Sequence, residues 1–184
     1  MTTAIGKLSL KDLASLVAEK LSEYGVNTVL TGGACVTIYS TNKYRSFDLD
    51  FVCPDAELMK KKIKAAMDEI GFEITPNKYF KNPKSKYFIE FISSPLAVGH
   101  EPVKHLKDIK TRYGTLKLIS PTDCVKDRLA AYFYWNDKQS LAQAVMVAKD
   151  QDISLNEIRK WAKVEGQAGK LADFIGLLNK KNKE

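Results

Sequence analysis

The residues with the greatest chemical potential stand close together as Asp48-Leu49-Asp50, between Phe47 and Phe51. The run 47–52 alternates with a period of two, the pattern of a β-strand. Both carboxylates therefore point to one face while Phe47, Leu49 and Phe51 point to the other. Two like charges at that spacing repel unless a cation lies between them. A divalent magnesium or manganese ion resolves the repulsion, because carboxylate oxygens are its preferred ligands. Taken alone, such a triplet is more often the wet face of an exposed edge strand.

Gly32-Gly33 lies upstream, between a short β-type run at 28–31 and a helical segment at 34–39. Glycines in that place let the backbone approach a phosphate, and the helix that follows offers free N–H groups to it. A tight turn would use the same pair. Downstream, Glu90 is the one charge in Tyr87-Phe88-Ile89-Glu90-Phe91-Ile92, with Phe88 and Ile92 as its same-face neighbours. A charge in an apolar strand costs several kcal/mol, roughly, unless it is paired or bound to a metal. An edge strand in solvent, or a lysine partner, would also accommodate it.

The elements that must position these groups are legible from periodicity. Leu10, Leu13, Leu16/Val17 and Leu21 recur at helical spacing over 9–24, with Ser9 as N-cap and Gly25 as terminator. A second long helix starts at Asp55 after Pro54, carries Leu58, Ile63, Ala66, Met67 and Ile70, and closes at Gly71. Strand-like runs follow at 72–75, 87–92 and 113–119, the first two separated by a Lys/Asn/Pro-rich turn. After Pro121 strand signals vanish, and helical patterns occupy 122–134, 139–149, 155–164 and 168–178. The expected class is α+β: an α/β domain over 1–119 built on a mixed sheet with flanking helices, then an all-helical domain over 120–184 that ends in a frayed lysine-rich tail.

Composition narrows the setting. The chain of 184 residues is long enough to bury a core without staples. Cys35, Cys53 and Cys124 are scattered, with no CxxC pair and two histidines, which excludes a zinc knuckle or disulfide framework and fits a reducing, cytoplasmic setting. No apolar run approaches the ~20 residues of a membrane span. The 29 basic against 22 acidic residues give a net charge of +7, which favours polyanionic partners such as nucleic acid. Lys78, Lys81, Lys84 and Lys86 interleave with Tyr79, Phe80 and Tyr87, an arrangement that suits a single strand of nucleic acid or a basic hairpin turn with core aromatics. The segment 104–112 reads as charged and amphipathic. His100 and His105 lack partners at ligand spacing, and both tryptophans, Trp135 and Trp161, read as packing residues.

Thr31-Gly32-Gly33-Ala34, Ser46-Phe47-Asp48-Leu49-Asp50-Phe51 and the later Glu90 together resemble the nucleotidyltransferase superfold, and most closely its AbiEii-type toxin branch. The resemblance extends to 121–129, similar to a family segment that opens a helix with an NTP-directed lysine, and to 135–141, similar to an aspartate-bearing motif. It implies a metal held by Asp48, Asp50 and Glu90, and phosphates cradled at Gly32 and Gly33. Lys126, Arg128 and Asp137 would be further nucleotide contacts. Lys126, Asp127 and Arg128 read equally as the solvated face of a helix whose apolar stripe is Val125, Leu129 and Tyr132/Phe133. Ala34 and Cys35 depart from the serine that many members carry after the glycine pair. The implied activity is transfer of an NMP from an NTP to an acceptor hydroxyl, with RNA or tRNA as acceptor and an antitoxin protein as partner. A small-molecule (antibiotic) acceptor, or a non-catalytic NTP-binding or toxin–antitoxin module, are the alternative expectations.

Overall fold

The computed structural model describes residues 4–180; the lysine-rich tail from Lys181 onward lies outside them. Helix α1 (Leu10–Glu23) begins where Ser9 Oγ accepts the Asp12 amide, and it buries Leu10, Leu13, Val17 and Leu21. Gly25, at φ 71°, turns the chain out of it. Strand β1 (Val29–Thr31) runs directly into α2 (Gly32–Tyr39), and a loop leads to β2 (Asp48–Val52). After α3 (Lys60–Glu69) come β3 (Glu73–Ile74), β4 (Phe80–Lys81) and β5 (Phe88–Ile92). A small hairpin, β6 (Ala97–Val98) with β7 (Glu101–Pro102), precedes β8 (Leu106–Thr111) and β9 (Gly114–Ile119). Four helices complete the chain: α4 (Pro121–Trp135), α5 (Lys138–Asp150), α6 (Leu155–Val164) and α7 (Ala168–Asn179).

Seven strands form one mixed sheet in the order β3-β4-β5-β2-β1-β9-β8. β1 is antiparallel to β2 and parallel to β9, and β2 is parallel to β5. Neither acid-bearing strand is an edge, so the edge-strand readings of Asp48-Leu49-Asp50 and of Glu90 do not hold. Alternation then sorts the side chains. Leu49, Phe51 and Ile89 are fully buried on one face, while Asp48 and Glu90 are exposed on the other.

α1 packs on β9 and against α3; α2 lies beside β2 and also meets α4 and α5. One core cluster runs from Leu8 through the sheet to Trp161 and Phe174. Ser120 caps α4 by accepting the Asp123 amide, with Pro121 in the first turn, where its missing N–H costs nothing.

Two expectations need correction, and one segment gains a definite structure. The helix read from Asp55 begins at Lys60, because 55–59 is a turn and Leu58 there is 85% exposed. The charged segment 104–112 is mostly the strand β8, paired antiparallel with β9 along its length. Its charges face solvent on the sheet's edge, which suits an edge strand that must avoid further pairing. Of the two tryptophans, Trp161 is buried and stacked on Phe133, but Trp135 is 77% exposed. The three cysteines are buried and free of disulfides, and no helix among the described residues is long and apolar enough to cross a membrane.

Candidate active site

Parallel pairing of β2 with β5 sets Asp50 directly beside Glu90 and Asp48 beside Phe88. Antiparallel pairing on the other side sets Thr31 beside Asp50, and the Thr31 hydroxyl donates to the Asp50 carbonyl at 3.3 Å. Two paired strands, β2 and β5, thus bring Asp48, Asp50 and Glu90 to one face. There they line a cavity of about 240 Å³ together with Tyr79 and Phe88. The two rings meet edge to face at 5.3 Å and form its aromatic wall.

The chain leaves β1 at Gly32 with φ 68°, a left-handed conformation that a side chain adopts only at a cost. A Cβ there would lie 2.6 Å from Asp50 Oδ2. Both backbone freedom and space therefore require glycine, and the Gly32 backbone lies against the carboxylate. Thr31 stands at the N-cap of α2 but makes no cap bond with its side chain, so the first amides of α2 lack a side-chain acceptor. Gly33 packs on Ser46 and Tyr44.

Thr37 and Ser46 fix the rim. The Thr37 hydroxyl donates to the Gly33 carbonyl at 3.2 Å and accepts the Ser46 amide at 2.8 Å. Ser46 Oγ accepts the Asp48 amide at 3.2 Å and donates to the Asp48 carbonyl at 3.1 Å. α2 and β2 are thereby tied together just where the carboxylates begin.

Burial first, then the charges of Asp48 and Glu90, push the Asp50 carboxyl up to about 6, while Arg128 pulls against that rise. The site thus carries an unbalanced negative charge, and its donor set is all oxygen, which is the set that magnesium and manganese prefer. Among the described residues no three acid, histidine or cysteine side chains already close around a point as a metal cage. The three carboxylates nonetheless share one sheet face and one cavity.

The other residues expected at the site are placed elsewhere. Lys126 is 3% exposed and bridges Glu101 Oε2 at 3.4 Å and Asp123 Oδ1 at 3.5 Å, joining α4 to the β6–β7 hairpin. Arg128 is within electrostatic reach of Asp50, and its guanidinium is held by Asp127 at 2.5 Å. Asp137 is the N-cap of α5. The Ser140 hydroxyl bonded to it, with the Ser140 and Gln139 amides, outweighs the effect of burial and holds its carboxyl below the usual range. None of the three lines the cavity.

Sequence reasoning placed Tyr79 only in the basic–aromatic stretch and Ser46 only in the motif before Asp48, and passed over Phe88 and Thr37 as site residues. For Phe88 the signal was present, since it alternates with Glu90. For Tyr79 it was not: a turn with Lys78 at φ 66° brings that ring to the cavity.

No protein-family model and no curated protein matches the chain. Among solved structures, an antigenic nucleotidyltransferase-like protein from Paracoccidioides brasiliensis is similar over 91% of this chain and 92% of its own, with TM-score 0.59 and 13% identity. The antibiotic-resistance factor ANT(2'')-Ia aligns over 92% of this chain and 94% of its own, with TM-score 0.49 and 11% identity. The chain has a nucleotidyltransferase-like fold.

Proposed function

We propose that the protein is a metal-dependent nucleotidyltransferase that moves an NMP from an NTP to an acceptor hydroxyl, with RNA as the acceptor. The observation that carries this reading is the convergence of Asp48, Asp50 and Glu90 on one sheet face, with the Gly32 backbone against Asp50. Asp48 and Asp50 would hold magnesium or manganese, which leaves Glu90 as the base. The bound ion would neutralise charge on the α-phosphate and on the departing pyrophosphate.

The chain's own residues supply the rest. The uncapped amides at Gly32 and Gly33 donate to the β- and γ-phosphates, which sets the α-phosphate over the carboxylates. The acceptor then enters from the opposite side, over β5, where Tyr79 and Phe88 form the wall. Glu90 takes the acceptor's proton as a bond forms from its oxygen to the α-phosphorus and the bond to the β-phosphate oxygen breaks. Arg128 offsets part of the negative charge around Asp50. The net charge of +7 favours an RNA acceptor over a cationic small molecule.

The test is incubation with each labelled NTP, magnesium and total RNA, beside Asp48→Ala and Glu90→Gln. Label on RNA should fall by at least ~10²-fold in both variants, the scale of a lost acid–base or metal group. Equal labelling by wild type and Asp48→Ala would sink the reading.

A further inference from the structure

On the rim of the sheet next to the carboxylates lies a second groove, of about 550 Å³, whose lining has the opposite charge. Lys7 comes to it from the N-terminal turn, Arg45 from the α2–β2 loop, and Lys84 and Lys86 from the β4–β5 connection. No aspartate or glutamate lines it. All four cations are exposed, and none makes an ion pair among the described residues. Three separated segments thus deliver unpaired positive charge to one concavity, and like charges repel there unless an anion occupies it.

The groove also has an aromatic side. Phe47 is 51% exposed, although it is an apolar ring next to a core strand. It lies 6.5 Å from Tyr87, and Lys86 Nζ stands 5.2 Å over the Tyr87 ring. Ser46 connects this groove with the site: it lines the groove, and its hydroxyl bonds both backbone groups of Asp48.

A cationic groove with an open aromatic ring is the combination that holds a single nucleic-acid strand, by phosphate attraction and base stacking. A duplex presents phosphates but keeps its bases stacked, and leaves Phe47 without a partner. We propose that this groove is a track for an unpaired nucleic-acid strand, with phosphates on Lys7, Arg45, Lys84 and Lys86 and a base on Phe47. The groove ends at Ser46 and Phe47, the two residues that precede Asp48 in the chain, so a strand end held there has only the margin of β2 to pass to meet the carboxylates. This inference rests on the transferase reading for its purpose, but the binding it describes needs neither NTP nor metal.

The test is fluorescence anisotropy with a labelled RNA oligonucleotide of roughly a dozen nucleotides, without NTP or divalent ion. The groove variant is Lys7→Gln, Arg45→Gln, Lys84→Gln and Lys86→Gln together. The control, Lys60→Gln, Lys61→Gln, Lys62→Gln and Lys104→Gln, has the same net charge. The groove variant should bind at least ~10-fold more weakly at low salt, and its salt slope should fall by up to about 3, near 0.7 for each phosphate contact. The control should keep the wild-type slope, and Phe47→Ala should weaken the single strand alone. Equal loss in both quadruple variants would reduce the attraction to net charge and overturn the track. So would binding of a duplex, or of poly-glutamate, as tight as that of the single strand. If wild type binds the strand yet labels no RNA, the transferase reading fails while the track stands; transfer that survives loss of the groove cations sinks the track alone.

Discussion

Asp50 sits between Asp48 on its own strand and Glu90 on the next, and burial with those two charges lifts its carboxyl to about 6. A folded-state value above the ordinary 3.8 means that the native protein holds a proton the unfolded chain has already lost. The contribution of Asp50 to stability is therefore greatest below pH 4, falls as pH rises from about 4 to about 6, and is flat above that. Asp50→Asn removes the falling limb. In chelator at pH 7.5 the variant should be more stable than wild type by up to about 3 kcal/mol, with the difference closing near pH 4. Urea denaturation at the two pH values measures this, and a variant less stable at both would refute the account. Gly32→Ala tests the adjoining backbone. It should cost about 1–2 kcal/mol for the left-handed conformation, and more as the new methyl displaces the Asp50 carboxylate. Loss of stability without loss of transfer would show that the Gly32 contact does not position the acid.

At the scale of elements, the β6–β7 hairpin depends on three anchors from the helical half. Lys126 reaches Glu101, the Trp161 indole donates to the Val98 carbonyl at 3.2 Å, and Glu165 accepts the His100 amide at 2.8 Å. Lys126→Met leaves Glu101 and Asp123 without their cation, at a cost of roughly 2–4 kcal/mol. Amide exchange at Val98 and Glu101 should quicken more than in the main sheet; uniform quickening would place Lys126 in the global core instead. This hairpin marks the limit of what the sequence discloses. Long helices and the strands β2 and β5 follow from local periodicity, because one face of each is buried. β6 and β7 are two residues each, below the length at which alternation has meaning, and contacts remote in the chain fix them. The same holds for the site. Asp48 and Asp50 show themselves as a pair two apart on one strand, and Glu90 as a charge in an apolar run. The ion pairs of Lys126 and the N-cap role of Asp137 depend on packing between elements, which spacing does not record.

Across the whole molecule the sheet half and the helical half share their interior. Ala34, Cys35 and Val36 of α2 are fully buried, and α2 packs against α4 and α5. The Tyr39 hydroxyl donates to the Ile119 carbonyl at 2.6 Å, and the Gln151 side chain donates to the Tyr39 carbonyl at 2.8 Å. α2 is also the helix whose first residues, Gly32 and Gly33, meet the carboxylates, so the element that holds the site is clamped from both halves. Removing the helices would expose the α2 core residues and unpair that clamp, at about 25 cal/mol for each Å² of apolar surface returned to water. The chain is therefore expected to unfold in one step. Far-UV circular dichroism, which sees all elements, and tryptophan fluorescence, which senses Trp161 in the helical half, should give coincident urea transitions. A fragment of residues 1–119 should show no cooperative transition. Two separated transitions in the full chain would mean that the shared interior does not couple the halves, and the α2 clamp would then rest on the sheet alone.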